Sequence, residues 1–246
     1  MNTHTAHTAA IAPEVTRMAR AVQDRDPATP VPSCPGWDLA RLVAHTGNVH
    51  RWATAMVRDL TQKRYERDDA DLTGAGDDLA GWLAAGAGPL TEALLAADPD
   101  APMWAWGGDR HARFWSRRQL HETVIHRVDA ELAAGIAPVI DEAVAADGVD
   151  EFLDVLPYAR WRPALAELKG GGETISWQTD TGLAWLITLT PDGFRHERSA
   201  APGDVTVRTA TAGDLMLLAW RRRDHQDYAV DGDVKLLQWW IERSAI

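Results

Sequence analysis

The sequence predicts a mixed fold. An N-terminal four-helix up-and-down bundle over residues 1–146 is followed by a smaller α+β domain over 147–246, with a helix as linker. Three observations carry this reading. Apolar residues recur at helical spacing through the first half. Alternation of period two appears only after the triple glycine at 170–172. Helical spacing then returns toward the C-terminal end.

The first helix is expected over about Thr8 to Arg25, an Ala-rich stretch ended by DPATPVPSCPGWD. In that segment Pro27, Pro30, Pro32 and Pro35 set the backbone direction and Gly36 permits a turn. Asp38 is a good N-cap for the second helix, whose apolar stripe runs Leu39, Leu42, Val43, Val49, Ala53, Met56, Val57 and Leu60. A charged loop over roughly Lys63 to Gly76 precedes a third helix, about Asp77 to Ala97, and DPDAPMWAWGGDR forms another loop. Ser116 with Gln119 three residues later reads as a capping box opening the fourth helix, which stops at Gly135.

A linker helix is expected over about Asp147 to Leu156. ETISWQTD and LAWLITLT then alternate around Thr181-Gly182 as a hairpin, and Asp192-Gly193 leads into a short strand at Phe194 to Arg198. DVTVRT is a further strand. TAGDLMLLAWRR and DVKLLQWWIERS are helical in pattern.

Composition narrows the function. A net charge of -11 argues against a nucleic-acid partner, because phosphate contacts need a basic surface. The single cysteine, Cys34, rules out an intramolecular disulfide and a cysteine-based zinc site. It fits a reducing compartment and is expected to be structural. No signal peptide is recognisable in MNTHTAHTAA, and no run approaches the roughly 18 apolar residues of a membrane span, so a cytoplasmic location is expected. No exposed apolar helix face is evident, which favours a monomer. Twelve tryptophans against three phenylalanines and three tyrosines is a skewed usage, with most expected in the core.

Histidines concentrate in VAHTGNVHRW, GDRHAR and LHETVIH. His121 and His126 are five apart, roughly 140° around a helix, so they cannot share one metal. Glu122 and His126 are four apart and project from the same face, a sound half-site for zinc or a similar ion. Asp129 lies on that face too and is placed to accept from His126. The alternative is a solvated helical pair worth a few tenths of a kcal/mol. Glu122 and His126 stand opposite the stripe of Leu120, Val124, Ile125, Val128 and Leu132, facing either water or a polar cleft. His121 falls inside the stripe as a core histidine. On the second helix His45 and His50 flank the apolar stripe on opposite edges. At most one belongs to a site, and periodicity does not choose between them.

The runs VPSCPGWDLARLVAHTGNVHRW and RRQLHETVIHRVDAELAAG resemble the mycothiol-dependent maleylpyruvate isomerase family of actinobacteria, related to DinB-like metal-binding bundles. DVTVRTATAGDLMLLAWRR with YAVDGDVKLLQWW is similar to that family's sterol-carrier-like domain. The resemblance implies zinc, or another divalent metal, on His45, Glu122 and His126, with mycothiol as thiol cofactor. It also implies an active-site arginine near Arg221, Arg222 and Arg223, of which Arg222 is the first choice. The implied activity is cis–trans isomerisation of maleylpyruvate or a similar unsaturated acid by reversible thiol addition. Here three adjacent arginines replace a more typical small residue and fewer basic groups, which bears on substrate recognition. The alternatives are a mycothiol S-transferase acting on an electrophile, a hydrolase using zinc-bound water, and a non-enzymatic small-molecule-binding protein with a residual metal site.

Overall fold

The computed structural model describes residues 3–245 and separates into two compact units, one ending at Pro138 and the other beginning at Val139. The first unit is helical. Helix α1 (Thr3–Val22) packs along α5 (Ala112–Ala133), while α2 (Leu39–Arg58) lies against α5 and against α4 (Ala87–Ala96). The apolar stripe of α2 is buried as its spacing requires: Leu39, Leu42, Val43, Ala53, Met56 and Val57 are inaccessible. Asp38 caps α2 by accepting from the Arg41 backbone N–H at 2.8 Å.

Several boundaries differ from the sequence reading. The first helix spans Thr3–Val22, starting and ending earlier than expected, with Pro13 inside it. The expected third helix is two, α3 (Leu79–Ala84) and α4, broken at Ala85–Gly86. That 79–96 stretch is long and apolar enough by composition to cross a membrane, which corrects the expectation that no run comes close. The bundle uses its apolar residues otherwise: Leu83, Leu90 and Leu94 are buried among the helices.

Ser116 and Gln119 are not a capping box. The helix begins a turn earlier at Ala112, and Ser116, inside it, donates to the Arg113 carbonyl at 2.9 Å. A hydroxyl bonding back within its own helix mimics the cap pattern in sequence. The C-terminal end is as read. Gly135 takes φ +70°, and the Ile136 N–H returns to the Glu131 carbonyl at 2.8 Å, the glycine-closed helix end.

The second unit opens on α6 (Glu142–Val155), which begins earlier than the expected Asp147 because Asp141 caps it through the Ala143 and Val144 N–H groups. Five strands follow: β1 (Thr174–Thr179), β2 (Ala184–Thr190), β3 (Gly193–Glu197), β4 (Val205–Thr209) and β5 (Ala229–Gly232), in sheet order β3-β2-β1-β4-β5. All neighbours are antiparallel except β1 and β4. The register aligns Ile175 with Ile187 and Val205, and Trp177 with Trp185 and Val207, so one face carries an unbroken apolar row. Helix α7 (Ala212–Ala219) starts with a capping box of Thr211 and Asp214, and α8 (Val234–Arg243) puts Trp240 edge-on to Trp177 at 6.4 Å. Strand β5 lacks an alternating apolar pattern and was not anticipated. Its pairing with β4 makes it a strand.

Candidate metal centre

The site forms where α2 faces α5. His45 Nε2 lies 3.2 Å from Glu122 Oε1, and His126 Nε2 lies 3.3 Å from the same oxygen. The two imidazole rings stand edge to face, 4.9 Å between centres. One donor atom from each of these three residues falls within 4.8 Å of the others. Of the two histidines on α2, the structure therefore brings His45 to the carboxylate. His50 is fully buried, with Nε2 at 2.9 Å from the Thr123 hydroxyl on α5. His121 is likewise buried and stays within the core.

The face carrying Glu122 and His126 packs against α2 and is only partly open to solvent. Glu122 is partly exposed, and His126 is nearly buried. Burial disfavours the charge on Glu122. Its hydrogen bonds with His126 and His45, and the charges of His126 and Arg118, hold its carboxyl well below the usual range. Arg118, itself buried, reaches Glu122 Oε2 at 3.3 Å. Burial also disfavours protonated His126, yet its hydrogen bonds to Asp129 and Glu122 raise its pKa to about 9. Burial lowers His50 to about 4.

Asp129 accepts from three directions. His126 Nδ1 is at 2.9 Å and the Cys34 thiol at 3.3 Å on one oxygen, and the Ser33 hydroxyl is at 2.6 Å on the other. Cys34, His126 and Asp129 form a second cluster of donor atoms, but it uses the far nitrogen of a ring already committed to the first. A carboxylate on the remote nitrogen fixes the tautomer and aims the near nitrogen at a metal.

The proline-rich segment before α2 now has a purpose. The backbone loops through Val31 N to the Trp37 carbonyl and Trp37 N to the Cys34 carbonyl, both at 2.9 Å, with Gly36 at φ +82°. This turn sends Ser33 and Cys34 to Asp129 and sets Trp37 beside both histidine rings, 5.0 Å from His45 and 6.2 Å from His126. Sequence reasoning missed Ser33, Trp37 and Arg118. Ser33 and Trp37 flank the CPG turn, which was the available signal. Arg118 precedes Glu122 by one helical turn and carried no signal of its own.

Arg222 belongs to the second unit. Arg221 takes φ +59° and turns the chain out of α7, and the half-buried Arg222 donates to the Trp220 carbonyl at 2.7 Å. Arg221 and Arg223 are exposed.

The donor set fits a divalent ion. Two imidazoles and one carboxylate, with donor atoms within 4.8 Å of one another, are the ligand composition found in catalytic zinc sites, where three protein ligands leave a fourth position open.

Comparison with known proteins bears on both units. A family profile described as the mycothiol maleylpyruvate isomerase N-terminal domain matches residues 8–131, and one for the corresponding C-terminal domain matches residues 143–238. The crystal structure of the mycothiol-dependent maleylpyruvate isomerase superposes with a TM-score of 0.63 at 15% identity, covering 94% of each chain. That likeness establishes the fold. A stereoselective inverting sec-alkylsulfatase from Pseudomonas sp. aligns at 19% identity over 95% of this chain and 32% of its own, with a TM-score of only 0.34. No curated protein matches at a significant level.

Proposed function

The chain belongs to the mycothiol maleylpyruvate isomerase family, and from that premise we propose that it is an enzyme dependent on a divalent metal, zinc first, and on mycothiol. Its proposed reaction is cis–trans isomerisation of maleylpyruvate or a similar unsaturated acid. The observation that carries the reading is the convergence of His45 Nε2 and His126 Nε2 on one oxygen of Glu122.

When bound on this trio, a divalent ion would hold a thiol as its thiolate near neutral pH, supplying a nucleophile that the protein's own cysteine does not provide. The residues do the rest. His45 and His126 would ligate through Nε2, and Asp129 accepts a hydrogen bond from the Nδ1–H of His126, which keeps that proton off the ligating nitrogen. Glu122 stays ionised through its hydrogen bonds and the Arg118 charge, so the centre carries one negative ligand. Trp37 covers both imidazoles on one side and limits water there. Arg222 is proposed as the group that receives a substrate carboxylate, a role suited to a planar guanidinium.

The test combines metal analysis with a thiol-dependence assay. Zinc-loaded protein should isomerise maleylpyruvate with mycothiol and fail with either component withheld. His45→Ala should lose both metal and activity. Thiol conjugates formed without isomer would assign thiol transfer, and turnover without any thiol would assign hydrolysis. A wild-type protein that takes up no divalent metal would overturn the proposal.

A further inference from the structure

Each imidazole of the trio has a second nitrogen facing away from Glu122, and each of these meets a carboxylate. For His126 it is Asp129, at 2.9 Å on the same helix. For His45 it is Asp69, whose Oδ2 stands 3.6 Å from Nδ1. Asp69 comes from the long segment between α2 and α3, which has no regular secondary structure.

Asp69 is held firmly. Arg67 grips both of its carboxylate oxygens, Nη2 to Oδ2 at 3.0 Å and Nε to Oδ1. The same guanidinium lies over the Trp52 ring, 4.7 Å from its centre. Trp52 sits two turns beyond His45 on the same face of α2 and donates its indole N–H to the Tyr65 carbonyl of the loop at 2.8 Å. Asn48 Nδ2 ties down the Asp71 carbonyl at 2.6 Å, and the Trp82 indole ties down the Thr73 carbonyl at 3.3 Å. The first two tethers come from the helix that carries His45, and the third from α3.

We propose that Asp69 is the positioning residue for His45, and that Arg67 stacked on Trp52 delivers it. At 3.6 Å the contact is electrostatic rather than a hydrogen bond. It still places negative charge on the side of the ring where a metal-bound histidine must carry its proton. The two histidines of the centre are then oriented in the same manner, one by a helix neighbour and one by the loop. The loop thereby becomes part of the metal centre.

This inference rests on the metal-site reading above, and the experiment separates the two. Zn²⁺ and Co²⁺ are titrated into metal-free wild type, H45A, D69N, D69E, R67M and E66Q, the last altering an exposed loop acid. Affinity, the Co²⁺ visible spectrum and thermal unfolding are recorded. The expected result is metal uptake by wild type and E66Q and its loss in H45A. D69N should bind about 10–100-fold more weakly with an altered Co²⁺ spectrum, at unchanged unfolding temperature. R67M should weaken in the same direction, and D69E should recover most of the affinity. Wild-type affinity and spectrum in D69N, with H45A empty, would overturn the inference while leaving the metal site intact. A D69N loss that tracks lowered unfolding temperature and is not recovered in D69E would overturn it too, by assigning Asp69 a structural role. No uptake by wild type would sink the site reading itself.

Discussion

Thr123 decides which nitrogen of His50 carries the proton. Its hydroxyl donates to the Gln119 carbonyl at 2.6 Å, so it can only accept from His50 Nε2 at 2.9 Å, which places a proton on Nε2. Nδ1 is buried without a hydrogen-bond partner, and burial lowers the pKa to about 4. Because the folded value lies below the unfolded one of 6.5, His50 contributes stability that is complete above pH 6.5 and is lost as pH falls toward 4. Urea unfolding at pH 7 and pH 5 should show that loss in wild type, up to about 3 kcal/mol by pH 4, and a flatter profile in His50→Leu. His126 has the opposite sign. Its raised value, about 9, means that metal-free protein is stabilised below pH 6.5 and loses that contribution as pH climbs through 9. A metal must displace the same proton, so apparent affinity should rise toward pH 9 by up to about tenfold per unit, measurable by competition with a chelator. These two histidines looked alike by residue type, and only their partners separate them.

At the scale of the element, α5 is the unusual one. Nearly every side of it is covered, yet Arg118, Gln119, His121, Thr123, His126, Arg127, Asp129 and Glu131 are among its buried residues. Buried polar groups are costly unless most of their atoms are paired. Arg127 shows how: Nε donates to Glu14 of α1 at 2.7 Å and Nη1 to Glu131 at 2.6 Å, while Arg17 reaches the other Glu131 oxygen at 3.0 Å. This network fastens α1 to the helix that carries the site. Arg127→Ala leaves Glu14 and Glu131 with Arg17 as their remaining cation and should cost about 3 kcal/mol in denaturant unfolding. The charge pattern hid this in the sequence, because an i, i+4 Arg–Glu pair reads equally well as a solvated helix face. The false capping box at Ser116 has a similar origin, since hydroxyl and amide spacing within a helix imitates its start.

Over the whole molecule, the chain divides where exposure is high. Ile136 is 44% and Val139 70% exposed, just past the glycine that ends α5 and before the Asp141 cap of α6. Limited proteolysis with thermolysin should cut first at Ile136 or Val139, and mass spectrometry should find an N-terminal fragment that keeps the trio of His45, Glu122 and His126. Cleavage beginning elsewhere would mean that this junction is protected.

Local periodicity was enough to read the two kinds of structure and the i, i+4 pairing of Glu122 with His126. It also determined Asp129 as the third polar residue of that face. Resemblance, rather than spacing, pointed to His45. That His45 and not His50 meets Glu122 came from helix packing, because two edges of one amphipathic stripe differ only in what packs against them. Only the folded chain brought Ser33 and Cys34 to Asp129, Trp37 to the histidines and Asp69 to His45. Those contacts join residues far apart in the chain, and no local pattern encodes them.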